Sequence, residues 1–329
     1  MPAIAIADAL RAEGAEVSFV GGERAEAELV PKAGYPIDTI KVEGINRKNP
    51  LKAARAVGKA ATAVQAARKI LDQRQADAVL GGGGYVAGPV GLAATLKNIP
   101  LVLSEADSHI GLTNRLLASR AERVCLAFPL AGRDSAKYLV TGRAVAPAYS
   151  DRQHARAQLG IKPEETCVLV FGGSLGARSI NTAAPRAFND APYRVVHVAG
   201  ARDYKDLQAP GPHYVLLEYL TPFGIALAAA DAAVARAGGS VFELAQYGLP
   251  SVLIPYPYAS ANHQETNARW MADRGAAVIV PDAELTPERL RAETDNVLAR
   301  RAPMAAAAKA LAKPDAAREI AREVLTAAR

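Results

Sequence analysis

At 329 residues, half of them apolar and 22% charged, the chain has the composition of a folded globular protein with room for two ordinary domains, and not of a disordered one. A net charge of +6 suits an anionic partner, while an aromatic content of 5% argues against stacking platforms for single-stranded nucleic acid. Apolar runs are broken by Gly, Pro or charge well short of the roughly 18 residues that span a bilayer, and no basic-then-apolar leader opens the chain.

PAIAIADALRAE (2–13) predicts a helix with Pro in its first turn. EVSFVGG (16–22) and PIDTIKVEG (36–44) predict strands, a long helix covers 50–73, and ADAVLGGGGYVAG (76–88) is a strand running into a glycine loop. GPVGLAATLKN then reads as helix, IPLVLSEADS (99–108) as strand and loop, and RVCLAF (123–128) and KYLVTG (137–142) as strands. RAVAPAYSD (143–151) has no periodicity and is read as a hinge, which gives domains 1–146 and 147–329. The second half repeats the grammar. TCVLVFGGSLGARSIN (166–181) is strand, glycine turn and helix; YRVVHVAG, YVLLEYL, ADAAVARAGG, SVLIPYP and AAVIVP are further strands. Two Ala/Arg-rich helices close the chain, the last of them expected to pack back on the first domain. Strands alternating with helices predict an α/β protein: two Rossmann-like domains with parallel sheets, facing each other across a cleft.

Between Arg47 and Arg74 the chain carries Lys48, Lys52, Arg55, Lys59, Arg68 and Lys69 against a single acid, Asp72. On a long helix this is a solvated face or, more sharply, a surface for anionic lipid headgroups. Cys125 and Cys167, the only cysteines, have neither CxxC spacing nor His neighbours. They read as buried small hydrophobes in a reducing, cytosolic compartment.

Three glycine turns follow strands. In GGSLGARS (172–179), Gly172, Gly173 and Gly176 let backbone amides face a phosphate and Ser174 adds a hydroxyl, although the spacing departs from G-x-G-x-x-G. A tight turn without a ligand is the plainer alternative. Gly238, Gly239 and Ser240 open a second such helix, with Glu243 in its first turn placed to accept from a ribose diol. After the next strand, His263, Gln264 and Asn267 supply donors and acceptors suited to sugar hydroxyls. Gly83, Gly84 and Tyr85 belong to the third turn, and SEADSHIGLTN (104–114) places Glu105, Asp107 and Asn114 beside an acceptor. The order of glycines, acid, strand and amide-rich loop suggests a nucleotide-sugar site.

GGYVAGP, SEADSHIGLTN, VTGR, FGGSLGAR, RAGGSVFELAQYGLP and IPYP…NHQETNA, in that order and at matching intervals, resemble the MurG-type N-acetylglucosaminyltransferases of bacterial peptidoglycan synthesis over essentially the whole chain. The resemblance implies a glycosyltransferase-B fold. It implies inverting transfer of N-acetylglucosamine from UDP-GlcNAc to undecaprenyl-pyrophosphoryl-MurNAc-pentapeptide (lipid I), giving lipid II, with no cofactor or metal and no nucleic-acid partner. It also implies peripheral attachment, through anionic inner-membrane lipids, to the cytoplasmic face of the cell membrane. It places Ser174 at the diphosphate, the Leu220 backbone at the uracil, Glu243 at the ribose, and His263 and Gln264 at the transferred sugar. Asp107 stands where the family has a sugar-contacting Asn, and Arg143 is the one residue left to replace the family's nucleotide-contacting arginine.

The family begins with a strand and G-G-T-x-G-H-x-x-P-A; here Pro2 and Ala3 match only its end. On that resemblance the natural start lies upstream, and the first strand of the N-terminal sheet, the first glycine loop and its candidate general base, a histidine, are missing. That leaves the catalytic base unknown, with Glu105 a weak stand-in. A related glycosyltransferase with another lipid acceptor, a UDP-sugar epimerase of related fold, and a truncated, inactive UDP-sugar-binding protein remain the alternatives.

Overall fold

Short runs rich in Val, Leu and Ile that end in glycine or a polar residue form the strands, and the Ala-rich charged runs between them form the helices. The computed structural model describes residues 2–23, 26–42 and 50–329, with the backbone alone at 50–60 and at 260. It divides into two compact units, Met1–Ala146 with Pro314–Arg329, and Pro147–Lys313.

The first unit runs α1 (Pro2–Ala12), β1 (Phe19–Gly21), α2 (Glu26–Lys32), β2 (Ile37–Thr39), α3 (Pro50–Gln73), β3 (Val79–Gly81), α4 (Gly84–Leu96), β4 (Leu101–Glu105), α5 (Leu112–Leu117), β5 (Arg123–Leu126) and β6 (Tyr138–Val140). All pairings are parallel. β3-β4-β5-β6 form one sheet and β1-β2 a separate pair, so among the described residues β1 and β3 each keep one edge without a strand. The core lies between α3, α4 and the sheet, where Ala67, Ala93, Leu103 and Val124 are fully buried.

The second unit runs α6 (Arg152–Gln158), β7 (Cys167–Phe171), α7 (Arg178–Ala187), β8 (Arg194–Val198), β9 (Tyr214–Leu217), α8 (Gly224–Ala229), β10 (Ala232–Ala235), α9 (Val241–Tyr247), β11 (Ser251–Leu253), α10 (His263–Ala272), β12 (Ala277–Ile279), α11 (Pro287–Ala299) and α12 (Arg301–Ala310). Its six parallel strands are ordered β9-β8-β7-β10-β11-β12, the doubly wound order that reverses between the first and fourth strands. β7 is buried along its whole length, as a central strand covered on both faces must be. The side chains of Ile180 and Ala184 on α7, of Phe188 just after it, and of Leu290 and Val297 on α11, join the buried strand residues in one core. The final helix, α13 (Ala316–Ala327), belongs to the first unit, where Ile320, Ala321 and Val324 pack with Ile6 and Leu10 of α1 over Val102 and Cys125. Both cysteines are buried, and burial pushes each thiol up to about 12.

Some elements differ from the sequence reading. α2 has Pro31 inside it and was not predicted. α4 begins at Gly84, inside the glycine run, and α5 takes up the end of what reads as a polar loop. The chain closes on three helices because α11 and α12 break at Arg300 and Pro314 precedes the last. Of the basic cluster, Lys48 and the side chains of Lys52, Arg55 and Lys59 lie outside the described residues.

Candidate functional site

In the second unit, β7 and β10 are hydrogen-bonded neighbours with Phe171 level with Ala235. The chain leaves β7 toward β8 on one side and leaves β10 toward β11 on the other. A crevice opens at the carboxyl ends of two strands whose connections diverge in this way. Gly172–Gly176 and Arg236–Ser240 are the turns that emerge there, so glycine runs far apart in sequence become neighbours.

The glycines of the first turn do not all share one cause. A Cβ on Gly172 would lie 2.3 Å from the Ala177 nitrogen, and one on Gly176 would lie 2.0 Å from the Ala199 carbonyl oxygen. Both positions exclude a side chain by contact. Gly173, at φ +92, has open space around it and is required by conformation. The turn closes through the Gly176 amide, which donates to the Gly173 carbonyl (2.9 Å) and leaves Ser174 and Leu175 exposed at its tip. α7 starts directly after, and Ala177 at its N-cap has no capping side chain. Its first amides and its positive dipole end thus face the crevice unmasked.

The second turn is held by residues that sequence reasoning did not single out. Arg236 donates to the carbonyls of Ile254 (3.1 Å) and Pro255 (3.2 Å), to Asp282 (2.5 Å) and to the Ser179 hydroxyl (2.8 Å). Ser179 in turn donates to Asp282 (2.6 Å). One guanidinium therefore joins the end of β11, the first turn of α7 and the loop after β12. Ser240 donates to the Arg236 carbonyl (3.3 Å), and Gly238 and Gly239 lie half-buried ahead of α9, with Glu243 half-buried in its first turn. Gln264 accepts from the Tyr256 amide (3.0 Å), and its amide nitrogen lies on the side of Gly238. His263 opens α10 and is half-buried; Leu220 follows β9 by three residues at the same end of the sheet. Asn267 departs from expectation. It is fully buried and donates to the Ala237 carbonyl (3.0 Å), so it braces the turn from beneath.

The first unit contains the remaining candidates, Asp107 and Arg143 among them. Gly83 and Gly84 have φ near +80 and +78, which accounts for two of the four consecutive glycines. A Cβ on Gly81 would strike Leu103 at 2.8 Å, which accounts for a third. Asn114, expected beside the acceptor, is 1% exposed; its amide donates to the Ser104 carbonyl (3.2 Å) and to Glu105 (3.0 Å), and it lies beneath Gly83. Glu105 is 7% exposed and accepts from the Asp107 amide (3.3 Å), the Gly111 amide (2.9 Å) and Asn114. Both oxygens are engaged inside the loop, the arrangement of a clamp. Arg143 donates to the Ala106 carbonyl (3.2 Å) in the same loop, and Asp107 is half-buried there. Tyr85, at the start of α4, is 64% exposed.

Residues 1–126 match the glycosyltransferase family 28 N-terminal domain and residues 167–321 its C-terminal domain. A protein of Rubrobacter xylanophilus named UDP-N-acetylglucosamine–N-acetylmuramyl-(pentapeptide) pyrophosphoryl-undecaprenol N-acetylglucosamine transferase is 39% identical, over 98% of this chain and 99% of that one. Its namesake from Moorella thermoacetica is 40% identical over 98% of this chain and 94% of its own length. Among solved structures, Acinetobacter baumannii MurG superposes with a TM-score of 0.77 at 30% identity, covering 99% of this chain and 95% of that one. The calicheamicin glycosyltransferase CalG4, 18% identical at a TM-score of 0.72, shares the fold.

Proposed function

The chain belongs to glycosyltransferase family 28, in its MurG-type group with the glycosyltransferase-B fold, and on that premise we propose that it transfers N-acetylglucosamine from UDP-N-acetylglucosamine to undecaprenyl-pyrophosphoryl-MurNAc-pentapeptide, forming lipid II. The observation that carries the donor half of this reading is the pairing of β7 with β10, which sets two glycine turns and the uncapped start of α7 around one crevice.

In the transfer the acceptor hydroxyl attacks the anomeric carbon, the bond to the diphosphate breaks, and charge develops on the departing UDP. Donors already aimed at that charge lower the barrier because they need not reorganise. The amides of the 172–176 turn and of the first turn of α7, with the Ser174 hydroxyl, fill this role. They also do the work a divalent cation does in other transferases, so the reaction proceeds without a metal. Glu243 takes the ribose, the Leu220 backbone the uracil, and His263 and Gln264 the sugar, while Asn267 keeps the Gly238–Ser240 turn in place. Gly83, Gly84 and Tyr85 are on the acceptor side.

The acceptor is a membrane lipid, and the protein meets it as a peripheral enzyme at the cytoplasmic face. No helix among the described residues is long and apolar enough to cross a membrane. Tyr85, Leu92 and Leu96 of α4 and Leu112 and Leu116 of α5 are exposed on two helices that pack together, with Arg115 beside them. Apolar side chains fringed by cations are what an anionic bilayer surface selects.

Lipid II formation from UDP-N-acetylglucosamine and a short-chain lipid I analogue tests the function. Product that depends on both substrates is the expected result. Tight UDP binding without product would instead favour a binding protein.

A further inference from the structure

Beneath the first glycine turn lies a line of polar side chains that the reaction as described does not use. Asn181 is 0% exposed on α7, and its amide donates both to the Ala199 carbonyl (3.0 Å) and to Asp203 (3.1 Å). With its nitrogen so engaged, its oxygen must accept from His197 Nε2 (3.0 Å), which therefore carries the proton. His197 Nδ1 is then the acceptor for the Tyr214 hydroxyl (2.8 Å). Tyr214, His197, Asn181 and Asp203 thus form one hydrogen-bonded chain with one direction, running from β9 across β8 to α7 and the loop after β8.

Its far end is charged. Arg202 makes two hydrogen bonds to Asp203 (3.0 and 2.8 Å), and Arg178, the first residue of α7, approaches it at 3.4 Å. The side chains of both arginines remain 43% and 75% exposed, whereas Asp203 is 12% exposed. The chain also touches the turn itself. The Ala199 carbonyl that Asn181 holds is the atom 2.0 Å from a Cβ on Gly176, and a Cβ on Gly200 would lie 2.4 Å from the Gly176 nitrogen. On its other side this loop donates from Ala199 to the Leu217 carbonyl (2.9 Å) and from Gly200 to the Glu218 carbonyl (3.0 Å), toward Leu220.

We propose that Asn181 and Asp203 are positioning residues of the donor site: they fix the loop on which Gly176 rests and hold the guanidinium of Arg202, with that of Arg178, beside the turn that receives the diphosphate. The proposal rests on the donor-site reading above. A carboxylate near a diphosphate is repulsive by Coulomb's law alone, so its presence here is explained by the arginines it places.

That conflict of signs supplies the test. Affinities for UDP and for uridine are measured by calorimetric titration of the full chain and of Asn181→Leu and Asp203→Asn. Both variants are expected to lose UDP affinity on the order of tenfold while uridine binding stays within about twofold, the scale of a lost charge-assisted hydrogen bond. Asp203→Asn, which keeps the side chain's size and one acceptor oxygen, keeps the test open where Asn181→Leu does not fold. Tighter UDP binding in Asp203→Asn, or equal loss of both ligands, overturns the proposal. A parent chain that binds neither ligand overturns the donor-site reading and the proposal with it.

Discussion

Arg236 and Asp282, 46 residues apart, meet at 2.5 Å where β10 and β12 end, and Ser179 of α7 bonds to both. The pair is largely buried, its side chains 11% and 22% exposed. Removing one partner of such a pair leaves the other charge without compensation. Asp282→Ala is expected to cost about 3 kcal/mol in urea unfolding, the low end for a broken buried pair. Arg236→Lys keeps the charge but cannot reach four acceptors at once, so it should raise the KM for UDP-N-acetylglucosamine with a smaller loss of stability. Steady-state kinetics beside a thermal melt would separate the two effects.

The acid limb of stability should carry the signature of His197. This imidazole is fully buried, and burial pushes its pKa from the ordinary 6.5 down to about 4. The unfolded chain therefore binds the proton first. Stability is complete above the unfolded value and falls as pH drops from 6.5 toward 4, by roughly 3 kcal/mol in all. Asp203, held down to about 2 chiefly by its hydrogen bonds from Arg202, acts in a separate window below its ordinary 3.8. Urea midpoints between pH 7 and pH 4.5 should decline in the parent and flatten in that interval in His197→Gln. A parallel decline in both proteins would assign the acid limb to other groups.

These pairs explain what could and could not be read from the sequence. CVLVF and SVLIPYP announced strands because a parallel strand covered on both faces is a continuous apolar run. The glycine turns were legible because few residues other than glycine tolerate those φ values and contacts. Arg236, Ser179 and Asp282 were not legible, since they converge only once the strand order is known. Asn267 and Asn114 read as amides facing a ligand, because sequence gives a polar residue's chemistry and not its depth; both are buried. Helix α2 is short, and Pro31 next to its last residue argues against a helix there.

Membrane attachment predicts a separable loss. Tyr85 and Leu116 are 64% and 63% exposed. Burying a side chain of this size is worth about 1.5–3 kcal/mol, so Tyr85→Ser with Leu116→Ser should weaken co-sedimentation with anionic vesicles by at least about tenfold. UDP binding in solution should be unchanged, because the donor candidates other than Asp107 and Arg143 belong to the second unit. Unaltered sedimentation would remove the α4–α5 surface from the attachment model.

The last prediction separates a clamp from a base at Glu105. A general base in this reaction must accept the proton of the acceptor hydroxyl, and losing one typically costs a factor of about 10²–10⁴ in rate. Glu105 instead accepts from the Gly111 amide, the Asp107 amide and Asn114, at the root of the 105–114 loop. Glu105→Gln keeps the shape and one acceptor oxygen but turns an N–H toward the other donors. The expected result is a loss of about 1–3 kcal/mol of stability, the cost of leaving a buried donor unsatisfied. kcat should fall less than about tenfold, and the pH profile of transfer should keep its form, since no titrating group of the reaction is removed. Collapse of kcat with loss of the acid-side limb, in a variant that melts like the parent, would restore Glu105 to the chemistry. Stability and rate respond oppositely under the two roles, so one protein preparation decides between them.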